Sequence, residues 1–293
     1  MIEKQVCKLC GEEKNLEESH LIPKFVFRWA KNSGGKYIRK IDNPNKRVED
    51  GIKEYLFCHD CNQLFSRLED KFARDLFYPY SNHQVKELRY DSDLLRFSIS
   101  VLYRILLFNL IENSHLNQEF TKDLLLAQTE WKDFLTQKGI LKNYNNVHIF
   151  YTTAELTKNV IPVERFLNYY ARGIDGTIFT NSKTCIVYAK MARIILIGEI
   201  VGFDSTGMKN TLISPDEGEI LVEKMRLNLL MKQSLVDRVR QLNYHLDQVS
   251  EKQRSIAIEY TDTHIDNVDC IDIKKIVDIE DKAIIDEKLI DFE

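Results

Sequence analysis

The sequence predicts an α+β protein, with a cysteine-knuckled N-terminal module followed by a helical and small-sheet region that ends in a long helix. Three observations predict it. Two Cys-x-x-Cys pairs, Cys7/Cys10 and Cys58/Cys61, bracket a 47-residue insertion near the N-terminus. Apolar residues then recur at helical spacing through much of residues 64–135. Four short runs rich in Ile, Val, Tyr and Phe follow between residues 146 and 201.

Composition sets the outer bounds. The chain has 293 residues, about two domains' worth. Its 44% hydrophobic and 29% charged residues fit an ordinary globular protein and exclude a disordered or fibrous chain. There are 41 basic and 45 acidic residues, a net charge of −4, which excludes a globally basic nucleic-acid binder but not a local basic patch. The N-terminal residues, MIEKQVCKLCGEEK, lack an apolar leader segment, so a cytoplasmic location is expected. The most apolar stretch, Phe97 to Ile111, carries Arg104 and reads as a core helix too short for a bilayer, so no membrane partner is expected.

The four paired cysteines are read as ligands of one structural Zn²⁺, because each knuckle presents two thiolates and two knuckles complete a tetrahedral shell. The alternatives are a redox pair or two unrelated pairs. A redox Cys-x-x-Cys would need a βαβ setting that neither pair has. Cys185, in an apolar run, and Cys270, in the acidic tail, read as plain residues. His59, inside the second knuckle, faces solvent or substitutes as a zinc ligand.

The insertion opens Glu18-Ser19-His20-Leu21-Ile22-Pro23, passes Gly34-Gly35, and feeds LFCHDCN. Apolar Leu64, Phe65, Leu68, Phe72, Leu76 and Phe77 follow at helical spacing. The second knuckle therefore opens a helix, with Asn62 in its first turn.

Over about residues 1 to 80 these motifs resemble the zinc-ribbon form of the HNH (His-Me finger) endonucleases. The match runs through Cys7/Cys10, His20, Pro23, Gly34-Gly35, Cys58/Cys61 and Asn62. The chain is more similar still to an uncharacterised bacterial group, through SHLIPKF, PNKRVEDG, LFCxxCN and LFSRLED.

The resemblance implies a zinc-bound ββα-metal module whose His20 is the general base of phosphodiester hydrolysis. It makes Asn62 a ligand of a catalytic Mg²⁺ or Mn²⁺, with the zinc site separate and structural. Two positions depart from the family. Ser19 stands where the family usually has an acid before the His, with Glu18, Asp60 and Glu69 as other oxygen donors. The middle Asn that orients the His has only early candidates, Asn43 and Asn45, while Asp50 and Gly51 occupy the later stretch.

Between Lys24 and Arg47 stand eight basic residues and one acid. Lys24, Arg28, Lys36, Arg39, Lys40, Lys46 and Arg47 are the candidate contacts to nucleic acid, DNA being favoured. Phe25, Val26 and Trp29 share one helical face and read as core.

Farther on, helices are expected over Asp93 to Asn113 and Asn117 to Lys138. Strands are expected over Asn146 to Thr152, Thr177 to Thr180, Cys185 to Met191 and Ile194 to Val201, with a turn at Gly173 to Gly176. The stretch Tyr169 to Gly176 is a turn or a ligand surface. Residues Asp216 to Arg254 read as one long helix, or two broken near Ser234, that packs on the core or offers a seam for a homo-oligomer. Glu259 to Glu293 holds 12 acids and 4 lysines, and either folds over the basic insertion or adds acidic surface.

These readings divide the chain into a nuclease-like module (1–80), an α+β regulatory or targeting domain (81–258) and an acidic segment (259–293). The expected activity is an HNH-type endonuclease, a hydrolase, and the fused-module pattern suggests bacterial defence against phage or plasmids. The rival is a catalytically inactive zinc module that binds nucleic acid or a protein partner.

Overall fold

A computed structural model describes residues 4–32, 38–39, 47–48, 50–83, 85–112, 118–153, 166–246 and 249–252. The expected acidic segment, Cys270, Asn43 and Asn45 lie outside them. The architecture is a mixture of helix and sheet, with the cysteines near the N-terminus.

The first knuckle sits between two short strands, β1 (Gln5–Val6) and β2 (Glu13–Lys14), paired antiparallel. β3 (Leu16–His20) follows, then α1 (Lys24–Asn32), which starts just after Pro23. Helix α1 buries Phe25, Val26, Phe27, Trp29 and Ala30, and leaves Lys24 and Arg28 exposed. A two-residue pair, β4 (Ile38–Arg39) with β5 (Arg47–Val48), leads to β6 (Lys53–Cys58).

β6 pairs antiparallel with β3, setting Leu16 opposite Cys58 and His20 opposite Lys53, with a register shift between Glu17 and Glu18. It runs directly into α2 (His59–Phe72), whose apolar positions Phe65, Leu68 and Phe72 are buried at helical spacing. The helix continues as a π-turn (Ala73–Phe77) into α3 (Tyr78–His83). Pro79 lies just there. It has no N–H to give the carbonyl four residues back, and a widened turn accommodates that loss.

After β7 (Glu87–Tyr90) comes α4 (Asp93–Glu112), the centre of the molecule. It carries Leu, Ile, Val, Phe and Tyr around its whole circumference, and fourteen of its residues are buried. Its 20 residues match the expected helix to within one residue but extend beyond the apolar stretch read as too short for a bilayer, and among the described residues it is the one helix long and apolar enough to cross a membrane. Yet 78% of that stretch is buried inside the protein, which is the packing of a core helix.

Helix α5 (Thr121–Leu135) packs beside α4 and against the sheet. The sheet is antiparallel, in the order β8 (Val147–Tyr151), β11 (Ile194–Val201), β10 (Cys185–Met191), β9 (Ile174–Thr180). α4 touches all four strands. Gly198 permits this close approach, since a Cβ there would stand 2.8 Å from the Trp131 ring and 3.1 Å from Leu102.

Strands β10 and β11 have the expected limits, but two expectations need correction. Residues 173–176 are not a turn, because α6 (Phe166–Arg172) ends there and β9 already begins at Ile174. The long helix expected from Asp216 starts only at Leu229. Gly218–Leu221 is strand β12, paired with β7; Val222–Lys224 is a 3₁₀ turn; and α7 (Leu229–Leu246) then runs unbroken through Ser234. The spacing of Leu221, Met225 and Leu229 suits a helix, but the backbone of β7 offers residues 218–221 a partner, and tertiary pairing overrides the local pattern. Leu229, Leu230 and Tyr244 of α7 are exposed.

One hydrophobic cluster runs from Cys7 and Phe57, through Phe97 and Tyr103 of α4, to the sheet and Val239 of α7. Phe72 stacks on Phe97 at 3.8 Å between ring centres, and the Tyr103 hydroxyl donates to the Lys8 carbonyl at 2.6 Å. The cysteine module is thereby seated on the helix that also backs the sheet.

Candidate metal centre and active site

The pairing of β3 with β6 brings the two knuckles together. The sulfur atoms of Cys7, Cys10, Cys58 and Cys61 all lie within 4.8 Å of one another. Cys7 and Cys61 Sγ are 3.7 Å apart, and Cys10 and Cys58 Sγ 3.9 Å. A tetrahedral Zn²⁺ with Zn–S bonds of about 2.3 Å places its sulfurs about 3.8 Å apart. A disulfide would need about 2.05 Å. The four thiols therefore fit a zinc ion.

Their protonation is frustrated without one. Burial works against the Cys7 thiolate, but backbone N–H groups of Cys58, Cys10 and Leu9 aim at its sulfur and bring its pKa down to about 7. Burial pushes the Cys10 and Cys61 thiols up. A bound cation would draw these protons off and complete the centre. His59 is not part of it, since its Nδ1 lies 3.0 Å from Glu17 Oε1. Cys185 is buried in β10, away from the cluster, as expected of a plain core residue.

His20 ends β3. Its Nε2 is 3.0 Å from Asp50 Oδ2. Burial would raise the Asp50 carboxyl, but hydrogen bonds from His20 and Lys53 outweigh it and hold the group below the usual carboxylate range. An ionised Asp50 can only accept, so Nε2–H donates and Nδ1 is left as the ring's acceptor. Lys53 Nζ stands 3.3 Å from Asp50 Oδ1 and 3.8 Å from Glu18. Gly51 matters to this arrangement: a Cβ there would run into the Phe27 ring, so glycine lets the Asp50 loop lie flat against α1.

Around Asn62, in the first turn of α2, a second group gathers. The buried Ser19 hydroxyl donates to Asn62 Oδ1 at 2.7 Å. Asn62 Nδ2 donates to the Phe57 carbonyl at 3.4 Å and lies 3.5 Å from Glu17 Oε2. The two positions that the resemblance makes metal ligands, Ser19 and Asn62, thus touch each other, and the nearby acid is Glu17. The other donors considered are engaged elsewhere: Glu18 faces Lys53, Asp60 pairs with Lys14 at 2.9 Å, and Glu69 pairs with Arg104 at 2.7 Å.

For a divalent cation, the oxygens of Asn62, Ser19 and Glu17 suit a hard ion in kind, with a single carboxylate among them. Among the described residues, the cysteines are the one group of three or more His, Cys, Asp or Glu side chains close enough to share an ion.

Of the candidate nucleic-acid contacts, Lys24 and Arg28 project from the exposed side of α1. Lys36, Lys40 and Lys46 lie outside the described residues, and of Arg39 and Arg47 only the backbone is described. Sequence reasoning missed Asp50, Glu17 and Arg104 as neighbours of the site. A signal for Asp50 existed in the Asp-Gly step standing where an orienting Asn was sought.

No family model, curated protein or solved structure matches the chain.

Proposed function

We propose that the protein is a zinc-stabilised, metal-dependent endonuclease of HNH type that hydrolyses phosphodiester bonds in nucleic acid, DNA being favoured. The observation that carries this reading is the His20–Asp50 pair at the end of β3, beside a helix that starts at a zinc knuckle. The carboxylate fixes the imidazole tautomer and stabilises the imidazolium that forms on proton uptake. Nδ1 of His20 takes a proton from water, the water oxygen attacks phosphorus, and the P–O bond to the leaving sugar oxygen breaks as that oxygen takes a proton from solvent. A divalent cation, held by Asn62 and Glu17, would supply charge neutralisation at the phosphate. Lys24 and Arg28 would contact the backbone, with affinity that falls as salt rises.

One observation favours the binding-only reading. Ser19 and Asn62 satisfy each other, so a cation would have to displace that hydrogen bond. The test incubates supercoiled plasmid, linear DNA and RNA with the protein and Mg²⁺ or Mn²⁺, beside His20→Ala and Asn62→Ala at equal zinc content. Nicking by wild type that falls about 10²–10⁴-fold in His20→Ala is expected of a general base. No metal-dependent cleavage by zinc-replete wild type contradicts the proposal, and a salt-dependent mobility shift on the same samples would then favour binding alone.

A further inference from the structure

A buried arginine from outside the cysteine module reaches the site. Arg104 lies in the middle of α4, 2% exposed. Its Nε donates to the Ser100 carbonyl of its own helix at 3.0 Å. Its Nη1 donates both to the backbone carbonyl of His20 at 2.9 Å and to Glu69 Oε1 of α2 at 2.7 Å. The guanidinium carbon stands 5.1 Å from the centre of the Phe65 ring. Nη2 is buried and has no hydrogen-bond partner among the described residues.

A charge in this core is costly, and one of its donors goes unmet, so packing alone does not account for it. Its position suggests what does. The β3–β6 ladder reaches its last registered pair at His20 and Lys53, and beyond it the Leu21 N–H is held by the Ile52 carbonyl. The His20 carbonyl turns instead to α4. Holding that carbonyl fixes the peptide plane after His20, and so the direction of its Cα–Cβ bond. Asp50 fixes the far end of the same side chain.

We propose that Arg104, oriented by Glu69, is a positioning residue that sets the backbone of His20, so that the core helix of the sheet region is a working part of the catalytic site. This rests on the nuclease reading. It makes a specific division of labour: Asp50 sets the tautomer of His20, and Arg104 sets where the ring points.

The test uses full-length Arg104→Met, Arg104→Lys and the double variant Arg104→Met/Glu69→Met, which leaves no unpaired carboxylate. Zinc content and melting temperature establish that each is folded. Two readouts follow: steady-state cleavage, and the ¹⁵N shifts of the His20 ring. The expected result is a fall in kcat of about 10- to 100-fold with KM within about 3-fold, since displacement of a reacting group by about 1 Å costs on that order. The His20 ring resonances should move in Arg104→Met and in the double variant, and Arg104→Lys should recover part of both effects. Folded, zinc-replete Arg104→Met with wild-type kcat and unmoved His20 resonances overturns the proposal, whatever its melting temperature. If wild type itself does not cleave, the nuclease reading fails on its own, and the His20 resonances still decide whether Arg104 positions that residue.

Discussion

His20 shows how much of this site depends on single contacts. Its neighbour Asp50 is 30 positions away in sequence, and the contact exists because β3 and β6 register His20 against Lys53, which returns the chain to His20. The His20–Pro23 motif is visible in the sequence, but its partner is not, since nothing local says which later residue an antiparallel ladder will deliver. The same holds for Arg104, 84 positions on from His20. The Asp50 carboxyl, held below the usual range, has a consequence for stability. The unfolded chain takes up the proton first as pH falls, so the folded state loses Asp50's contribution on the way down through its lowered pKa. Asp50→Asn should therefore be less stable than wild type near neutral pH, with the gap narrowing as pH falls through the ordinary carboxylate range and on through the lowered pKa of Asp50. Urea midpoints at each pH, with zinc content matched, measure it. A gap that is constant or widens on acidification means the carboxylate is not the source.

At the scale of elements, the zinc knuckles do mechanical work. The second knuckle is the joint between β6 and α2, and its sulfurs reach back to the first knuckle. Removing one ligand should release both the ion and the angle between strand and helix. Cys58→Ser is expected to lose bound zinc and to melt at lower temperature than wild type, whereas Cys185→Ala should keep its zinc. Metal analysis and thermal melts check both, and a zinc-replete Cys58→Ser contradicts the assigned ligand set.

The knuckles were legible because their spacing encodes their chemistry. Strands β10 and β11 were legible because both are continuous apolar runs bounded by turn residues. The start of α7 was not, because β12 borrows a helical-looking stretch to pair with β7. The opening of β9 was hidden by Gly173 and Gly176, which read as turn residues. In the fold, a Cβ at Gly176 would press on Ile105 of α4 at 2.9 Å, so this glycine serves helix–sheet packing.

Taken whole, the molecule joins a cysteine module to a sheet through a central helix, with direct bonds from Arg172 to the Ala30 carbonyl and from Tyr80 to the Thr152 carbonyl beside it. α4 backs all four strands, stacks Phe97 on Phe72, receives the Lys8 carbonyl at Tyr103, and holds His20 and Glu69 through Arg104. The resemblance read over residues 1–80 thus describes a part whose hydrophobic core continues into the rest. A perturbation of the sheet has a direct physical route to His20, whose final step is the single hydrogen bond from Arg104 to the His20 carbonyl. The proposed reacting centre is the His20–Asp50 pair. Single-turnover nicking of supercoiled plasmid in Mn²⁺ by wild type and Asp50→Asn, at equal zinc content and near neutral pH, tests it most directly. Nicking by wild type and a loss of at least about 10²-fold in Asp50→Asn are expected, since a general base then loses the group that fixes its tautomer. Equal rates in the two proteins, or no nicking by either, would contradict it.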